Sequence, residues 1–266
     1  MIDTGKLNKR RNNFKTVEKV FDLFGHKNIF FVGGVVRDLI LGQPLKDIDL
    51  AVKHNASNVK KKLLKANINF VDNSKGHGTV TLVSKENTIE ITSMRVDKET
   101  FGRKAKVEFT DNIYLDSCRR DFTINSIYSS FSGEIYDPHK GIKDLEKRKI
   151  RFIGEPLIRI KEDKLRVLRY YRFLSLYGFN ANTIDKKSME ASRECFNLIK
   201  SISIERKSLE FFKLIMGRFA AEVIILMKKQ QILNFLVPGL QNIKNIDVKS
   251  FNDLNYEKFI RTSYLL

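Results

Sequence analysis

The segment that most constrains this chain is Phe30-Phe31-Val32-Gly33-Gly34-Val35-Val36-Arg37-Asp38, followed after a short insert by Asp47-Ile48-Asp49-Leu50-Ala51-Val52. An apolar run that ends in Gly-Gly and passes into Val-Val-Arg-Asp reads as a strand turning sharply into a helix. The Asp-x-Asp pair opens a second apolar strand, and strand residues two apart point to the same face, so Asp47 and Asp49 project together. Two carboxylates on one edge suit a divalent metal, and the glycines let backbone approach phosphates closely. Phosphoryl or nucleotidyl transfer needs that combination: neutralised phosphate charge and an aligned attacking hydroxyl.

Charge points the same way. The chain carries 49 Lys+Arg against 31 Asp+Glu, a formal charge of +18, and a balance this basic suits a polyanionic partner, nucleic acid or an anionic membrane surface. Lysines spread as solvated surface would raise the charge equally, but basic residues cluster in Arg119-Arg120 and Lys147-Arg148-Lys149. No amphipathic N-terminal anchor supports the membrane alternative. The opening Met1-Ile2-Asp3-Thr4-Gly5-Lys6 lacks the apolar run of a secretory signal. The apolar window Phe211–Met227 is interrupted by Lys213, Arg218 and Glu222, which makes it a buried helix and not a membrane span. Cys118 and Cys195 stand far apart without metal-ligand spacing, which excludes a disulfide framework and a zinc site and points to a reducing, cytoplasmic setting. His26, His54, His77 and His139 are scattered and form no metal-binding or catalytic pattern.

The period of the pattern divides the chain. Val17, Val20, Phe21 and Phe24 predict an amphipathic helix. Short strands are expected at Ile29–Val32, Ile48–Val52, Thr79–Val83 and Thr88–Met94, with a helix through Ala56–Leu64 and further strand signals at Val107–Phe109 and Ile124–Phe131. From about residue 151 the spacing turns helical, in Leu165, Leu168, Tyr171, Phe173 and Leu176, and again in Leu209, Phe212, Leu214 and Ile215. Gly and Pro thin out until Pro238-Gly239, and Phe259–Leu266 has the look of a helix cut in progress. The expected fold is α+β: a mixed-sheet head over residues 1–150, then an all-helical part over 151–266.

Three further groups carry chemistry. Glu90, the polar residue of Thr88-Ile89-Glu90-Ile91-Thr92, is the candidate third carboxylate beside Asp47 and Asp49, or else an ordinary solvent-facing strand position. In Arg119-Arg120-Asp121-Phe122-Thr123-Ile124-Asn125 two guanidiniums offer forked donors to phosphate, while Asp121 and Asn125 can bond a ribose hydroxyl. An Arg–Asp turn before a strand would use the same residues. In Glu162-Asp163-Lys164-Leu165-Arg166, followed by Arg169 and Arg172, Asp163 and Arg166 are placed on one helical face. An acceptor beside a donor suits the shared edge polarity of cytosine and adenine and rejects uracil and guanine; a helical salt bridge is the plain alternative.

Together these segments resemble the class II tRNA nucleotidyltransferase (CCA-adding enzyme) and bacterial poly(A) polymerase family. The resemblance rests on Gly33–Asp38 with Asp47-Ile48-Asp49, Arg119–Asn125, Asp137-Pro138-His139-Lys140-Gly141-Ile142-Lys143-Asp144-Leu145, and Glu162–Arg166. A looser piece is Ser203-Ile204-Glu205-Arg206 with Glu210, Lys213 and Leu214. It implies a nucleotidyltransferase head followed by a helical neck and body, with Mg²⁺ on Asp47 and Asp49 and Glu90 at the third acidic position. It implies triphosphate contacts at Gly33, Gly34 and Arg37, and ribose recognition around Asp121. Base templating falls to Asp163 and Arg166, and the nucleotide-binding set takes in Arg119, Arg120, Asn125 and Arg169. Met94–Phe109 is similar to the family's flexible loop, which argues against an enzyme that adds only C.

Two departures stand out. Ala51-Val52 follows the metal strand where the family often has Thr. The family also runs on for a hundred or more residues of helical body and tail, so this chain is expected to be a fragment or to grip RNA by other means. The function implied is template-independent addition of CCA to a tRNA 3′ end from CTP and ATP. Alternatives within the class are a poly(A) polymerase, although Gly76–Leu82 lacks a basic Gly element, and a partial CC- or A-adding enzyme. A truncated, non-catalytic RNA-binding protein and a drug-modifying nucleotidyltransferase lie outside it; clustered carboxylates facing a polyanion argue against the first, and the Asp163/Arg166 pair against the second. No membrane partner is expected, and the oligomeric state stays open.

Overall fold

The structure, a computed structural model, describes residues 15–45, 47–72, 78–82, 88–101, 104–178 and 184–236. Parts of the stretches at 76–82 and 94–109, together with Pro238-Gly239 and 259–266, lie outside the described residues. The chain divides into two compact units, residues 1–100 with 104–142, and residues 101–103 with 143–266.

The first unit opens with α1 (Lys15–Phe24), which buries Val17, Val20, Phe21 and Phe24 as their spacing predicts. Strand β1 (Ile29–Val32) turns at Gly33 into α2 (Gly34–Ile40), and β2 (Asp47–Val52) follows. Helix α3 (Ala56–Lys65) starts at Asn55, whose side-chain oxygen accepts from Asn58 N–H at 2.9 Å, satisfying one of the donors a helix start leaves over. Next come β3 (Phe70–Val71), β4 (Thr79–Leu82), β5 (Thr88–Ser93), β6 (Arg95–Phe101) and β7 (Lys104–Phe109). Helix α4 (Ile113–Cys118), a 3₁₀ turn at Thr123–Asn125, β8 (Tyr128–Ser129), β9 (Ile135–Tyr136) and α5 (Gly141–Glu146) complete the series.

Seven strands form one mixed sheet in the order β3-β4-β5-β2-β1-β8-β9, while β6 and β7 form a two-stranded sheet of their own. Among the described residues of the large sheet, β2 and β5 pair in parallel, while β1/β2, β1/β8, β3/β4, β4/β5 and β8/β9 are antiparallel. Alternation decides its faces. Ile48, Leu50 and Val52 join Ile89, Ile91, Val80 and Leu82 in the main core under α1, α2 and α3. On the other face Phe30, Val32, Ala51, Met94 and Tyr128 form a smaller apolar cluster. Asp47 and Asp49 share that second face with Ala51.

One expectation for this unit needs correction. The run Ile124–Phe131 is a strand only at Tyr128–Ser129. Upstream, the Asp121 carboxylate accepts from Phe122 N–H at 2.9 Å and Asn125 Nδ2 at 3.0 Å, which bends the backbone into the 3₁₀ turn. The segment that resembles the family's flexible loop, Met94–Phe109, holds β6 and β7 within its described residues. The two-residue strands β3 and β9 were not foreseen because runs so short carry no periodic signal.

The second unit is helical: α6 (Pro156–Glu162), α7 (Arg166–Phe173) with a π turn at Leu174–Gly178, α8 (Lys186–Glu194), a 3₁₀ turn at Phe196–Ser201, α9 (Ile204–Ile215) and α10 (Ala220–Lys229). Pro156 at the first turn of α6 gives up an amide that would lack a partner there. Tyr170, Tyr171, Ile199, Leu214, Ile215, Val223 and Ile224 fill its interior. In α9 the buried set is Glu210, Phe211, Leu214 and Ile215, and Leu209, expected on the core face, is 60% exposed. No helix of the described residues is long and apolar enough to cross a membrane.

Candidate functional site

The first unit assembles the carboxylates by register. Asp49 pairs with Glu90 across the parallel β2/β5 ladder, and Asp47 with Thr88. Paired residues project to one face, so Glu90 stands beside Asp49 on the face that carries Asp47. Burial raises the Asp49 carboxyl above its usual range; Arg120 opposes this, Asp47 adds to it, and Arg37 opposes it again. Glu90 is raised by burial and then by the charges of Asp49 and Asp47. Among the described residues no group of three or more His, Cys, Asp or Glu side chains is gathered to hold a metal ion. Two repelling, partly desolvated carboxylates nevertheless fit a hard cation such as Mg²⁺, which binds through one or two carboxylates and keeps water and phosphate oxygens as its other ligands.

The Gly33-Gly34 turn brings backbone up to these groups. Gly33 sits at φ +70°, a conformation other residues rarely adopt, and a Cβ there would lie 3.3 Å from Asn125 O and 3.6 Å from Arg120 Nη1. A Cβ on Gly34 would lie 3.4 Å from Arg37 Nη2 and 4.0 Å from Asp49 Oδ2. The buried Arg37 donates from Nη1 to Asn125 Oδ1 at 2.5 Å and from Nε to Asp38 at 2.9 Å. The fold therefore brings Gly33, Gly34, Arg37, Asp49, Arg120 and Asn125 together, and Asn125 in turn bonds Asp121.

Arg119 and Arg120 both pair with one acid outside their own motif. Their partner is Asp116 on α4, which sequence reading missed: Arg119 Nε donates to its Oδ1 at 2.8 Å and Arg120 Nη2 to its Oδ2 at 3.1 Å. The signal was present, because an acid three and four residues before two arginines shares their helical face. The motif around Gly141 is structural in the same sense. Asp137 accepts from the amides of Gly141 at 2.7 Å and Ile142 at 2.9 Å, capping α5.

In the second unit the structure corrects the placement of Asp163 and Arg166 on one helix. Helix α6 ends at Glu162, Asp163 has an extended backbone (φ −142°), and α7 restarts at Arg166. The cause is local: Asp163 Oδ1 accepts from Leu165 N–H at 3.1 Å, an Asx turn competing with the helix. Arg166 Nη1 donates to Glu162 Oε2 at 2.7 Å and Arg159 O at 2.8 Å, locking the break. Asp163 faces Arg206 at 3.7 Å. It lines a cavity of about 420 Å³ with Lys161, Glu162, Lys164, Ser201, Ile202, Ser203 and Arg206. Arg169 lies over the Phe173 ring, 5.5 Å from its centre.

A mixed sheet with an Asp-x-Asp strand edge beside a Gly-Gly turn, followed by a helical unit, defines a class of nucleotidyl-transfer proteins, and comparison with known proteins agrees. Residues 29–151 match the family "Poly A polymerase head domain", and residues 183–244 match "Probable RNA and SrmB- binding site of polymerase A". The chain is 34% identical over 240 residues to the mitochondrial CCA tRNA nucleotidyltransferase 1 of Homo sapiens, covering 90% of this chain and 55% of that protein. It is 36% identical over 214 residues to the CCA-adding enzyme of Bacillus pumilus, covering 80% of this chain and 52% of the relative. The CCA-adding enzyme of Bacillus stearothermophilus, solved in complex with CTP, aligns with a TM-score of 0.74 at 28% identity over 91% of this chain and 58% of that one. The chain spans about half the length of the curated relatives it matches. It belongs to the class II tRNA nucleotidyltransferase and bacterial poly(A) polymerase family.

Proposed function

We propose that this chain is a metal-dependent nucleotidyltransferase that adds CCA to the 3′ end of tRNA from CTP and ATP. The observation that carries it is the in-register placement of Asp49 and Glu90, with Asp47 on the same face and the Gly33-Gly34 backbone alongside. The names of the relatives, and the CTP bound to the Bacillus stearothermophilus enzyme, support the choice of CCA addition over poly(A) synthesis.

In this reading residues 1–150 are the catalytic head and residues 151–266 the RNA-binding part. Gly33 and Gly34 admit the triphosphate, and Arg37, Arg119 and Arg120 bind its oxygens through charge-assisted bonds. Asp121 and Asn125 orient the ribose. Asp47 and Asp49 hold Mg²⁺, in keeping with the family's general use of divalent ions, and the metal supplies charge neutralisation and a lowered hydroxyl pKa. Glu90 keeps their carboxylates crowded on one face and so favours a cation there. Asp163, Arg166 and Arg169 form the base-reading surface. Arg166 contributes by holding the helix break, and Asp163 presents the acceptor. The setting is the cytoplasm, where the unpaired Cys118 and Cys195 stay reduced.

The test is incubation with a tRNA lacking CCA and each nucleoside triphosphate in turn, with products sized to one nucleotide. Two additions from CTP and one more from ATP are expected. A long adenylate ladder from ATP alone would indicate a poly(A) polymerase, and no extension with any nucleotide would overturn the proposal.

A further inference from the structure

Asp116 lies outside the motifs that point to chemistry, yet both its oxygens are engaged. It is fully buried. Oδ1 accepts from Arg119 Nε at 2.8 Å and from the backbone N–H of Arg95, the first residue of β6, at 3.0 Å. Oδ2 accepts from the Tyr128 hydroxyl at 2.6 Å and from Arg120 Nη2 at 3.1 Å. The same Tyr128 hydroxyl accepts from Arg120 Nε at 3.0 Å, so Arg120 is gripped at two nitrogens by two different elements.

A buried carboxylate is costly unless paired and hydrogen-bonded. Burial alone would raise its pKa, but the charges of Arg120 and Arg119, with the bonds from Tyr128 and Arg95 N–H, hold Asp116 well below the usual carboxylate range. One negative charge set between two guanidiniums leaves one unit of positive charge in excess. That excess sits beside the Gly33 turn, where Arg120 Nη1 comes within 3.6 Å of a Cβ built on Gly33, and it acts on Asp49. Without the carboxylate the two cations would repel each other and sample other rotamers.

We propose that Asp116, assisted by Tyr128, is a positioning residue that holds the Arg119 and Arg120 guanidiniums in the orientation in which they meet the triphosphate of the incoming nucleotide. This deepens the nucleotidyltransferase reading and rests on it. Asp116 itself touches no substrate; it acts through the arginines.

Incorporation of CMP into tRNA lacking CCA is measured for wild type, Asp116→Asn, Tyr128→Phe, Arg120→Ala and the double variant Asp116→Asn/Arg120→Ala, each with its melting temperature recorded. Asp116→Asn is expected to raise KM for CTP about tenfold or more, with a smaller change in kcat. Tyr128→Phe gives a smaller rise in the same constant. The double variant is expected to lose less than the sum of the two single losses, because the part of the Asp116 effect that runs through Arg120 is already gone and only the part through Arg119 is left. An unchanged KM in folded Asp116→Asn and Tyr128→Phe, or fully additive effects in the double variant, would overturn the proposal and leave Asp116 a structural anchor. Should Asp116→Asn fail to fold, Tyr128→Phe decides alone, since it keeps the carboxylate–arginine pairs. If wild type extends no RNA, the nucleotidyltransferase reading has failed. Titration of the same proteins with labelled CTP then judges Asp116 separately. Weaker binding by the variants supports the positioning role; equal binding, or none by wild type, overturns it.

Discussion

Gly141 offers a direct test of how the first unit holds the turn at Thr123–Asn125. A Cβ built on Gly141 would overlap the Thr123 carbonyl oxygen outright, stand 2.8 Å from the carbonyl carbon, and reach Ile127 Cγ1 at 3.0 Å. Backbone on backbone cannot rotate aside, so Thr123 would have to retreat by about 1 Å to restore ordinary contact. Overpacking of this kind costs about 1–3 kcal/mol, and the rigid neighbour places it near the top of that range. Alanine also restricts the unfolded chain, which returns roughly 0.4–1 kcal/mol. The contact wins, leaving Gly141→Ala destabilised by about 2 kcal/mol, or roughly 4–8 °C in melting temperature for a chain of this size. Because the displaced carbonyl belongs to the turn between Asp121 and Asn125, KM for CTP should rise as well. Gly42 is the control: at φ +69° with nothing within 4 Å of a built Cβ, its alanine variant carries only backbone strain of roughly 1–2 kcal/mol and should leave KM alone. Thermal melting and steady-state kinetics read both effects. If Gly141→Ala melts within about 2 °C of wild type with an unchanged KM, the backbone packing argument is wrong.

Asp49→Asn should abolish nucleotide incorporation while RNA binding, followed by filter retention, survives; near-normal turnover would remove Asp49 from metal binding. The same variant should melt higher than wild type at neutral pH. Because the folded-state pKa of Asp49 is raised, its contribution to stability is present below the ordinary carboxylate value and lost as pH rises through the folded value. The gain from Asn should therefore shrink as pH falls toward about 4. Asp121→Ala should erode the preference for CTP over dCTP in competition assays, and unchanged discrimination would dismiss the ribose role. Asp163→Asn should change the ratio of CTP to UTP incorporation, whereas a purely structural Asx turn, which Asn also forms, would leave that ratio intact.

What could be read in the sequence and what could not divides along local and long-range structure. The shared face of Asp47 and Asp49 follows from strand period, and the burial of Ile48, Leu50 and Val52 confirms the alternation that placed them there. The neighbour of Asp49 could not be read the same way. Glu90 was one polar residue in an alternating strand, and only the parallel register with β2 sets it opposite Asp49. Arg119 and Arg120 were visible as cations, but their anchor Asp116 looked like any helical acid until the fold buried it. At Asp163 a smooth helical pattern from Pro156 to Phe173 concealed a break, because the apolar spacing on either side survives it. The signal lay in the Asp itself, whose short side chain bonds the amide two residues on.

The parallel pairing of β2 with β5 also bears on how the protein comes into being. Antiparallel neighbours can zip from a tight hairpin, but parallel strands need a long connection, and here residue 47 must find residue 88. Closing such a loop delays contact formation relative to local elements such as α1 or α3. During synthesis the Asp-x-Asp segment leaves the ribosome well before the strand that fixes its register. Until β5 arrives, β2 can pair only with β1, and the two aspartates lack a neighbour on their other side and any crowding from Glu90. The clustering of Asp47, Asp49 and Glu90 is thereby tied to completion of the sheet, and a nascent chain halted before residue 88 would hold the motif without its neighbour.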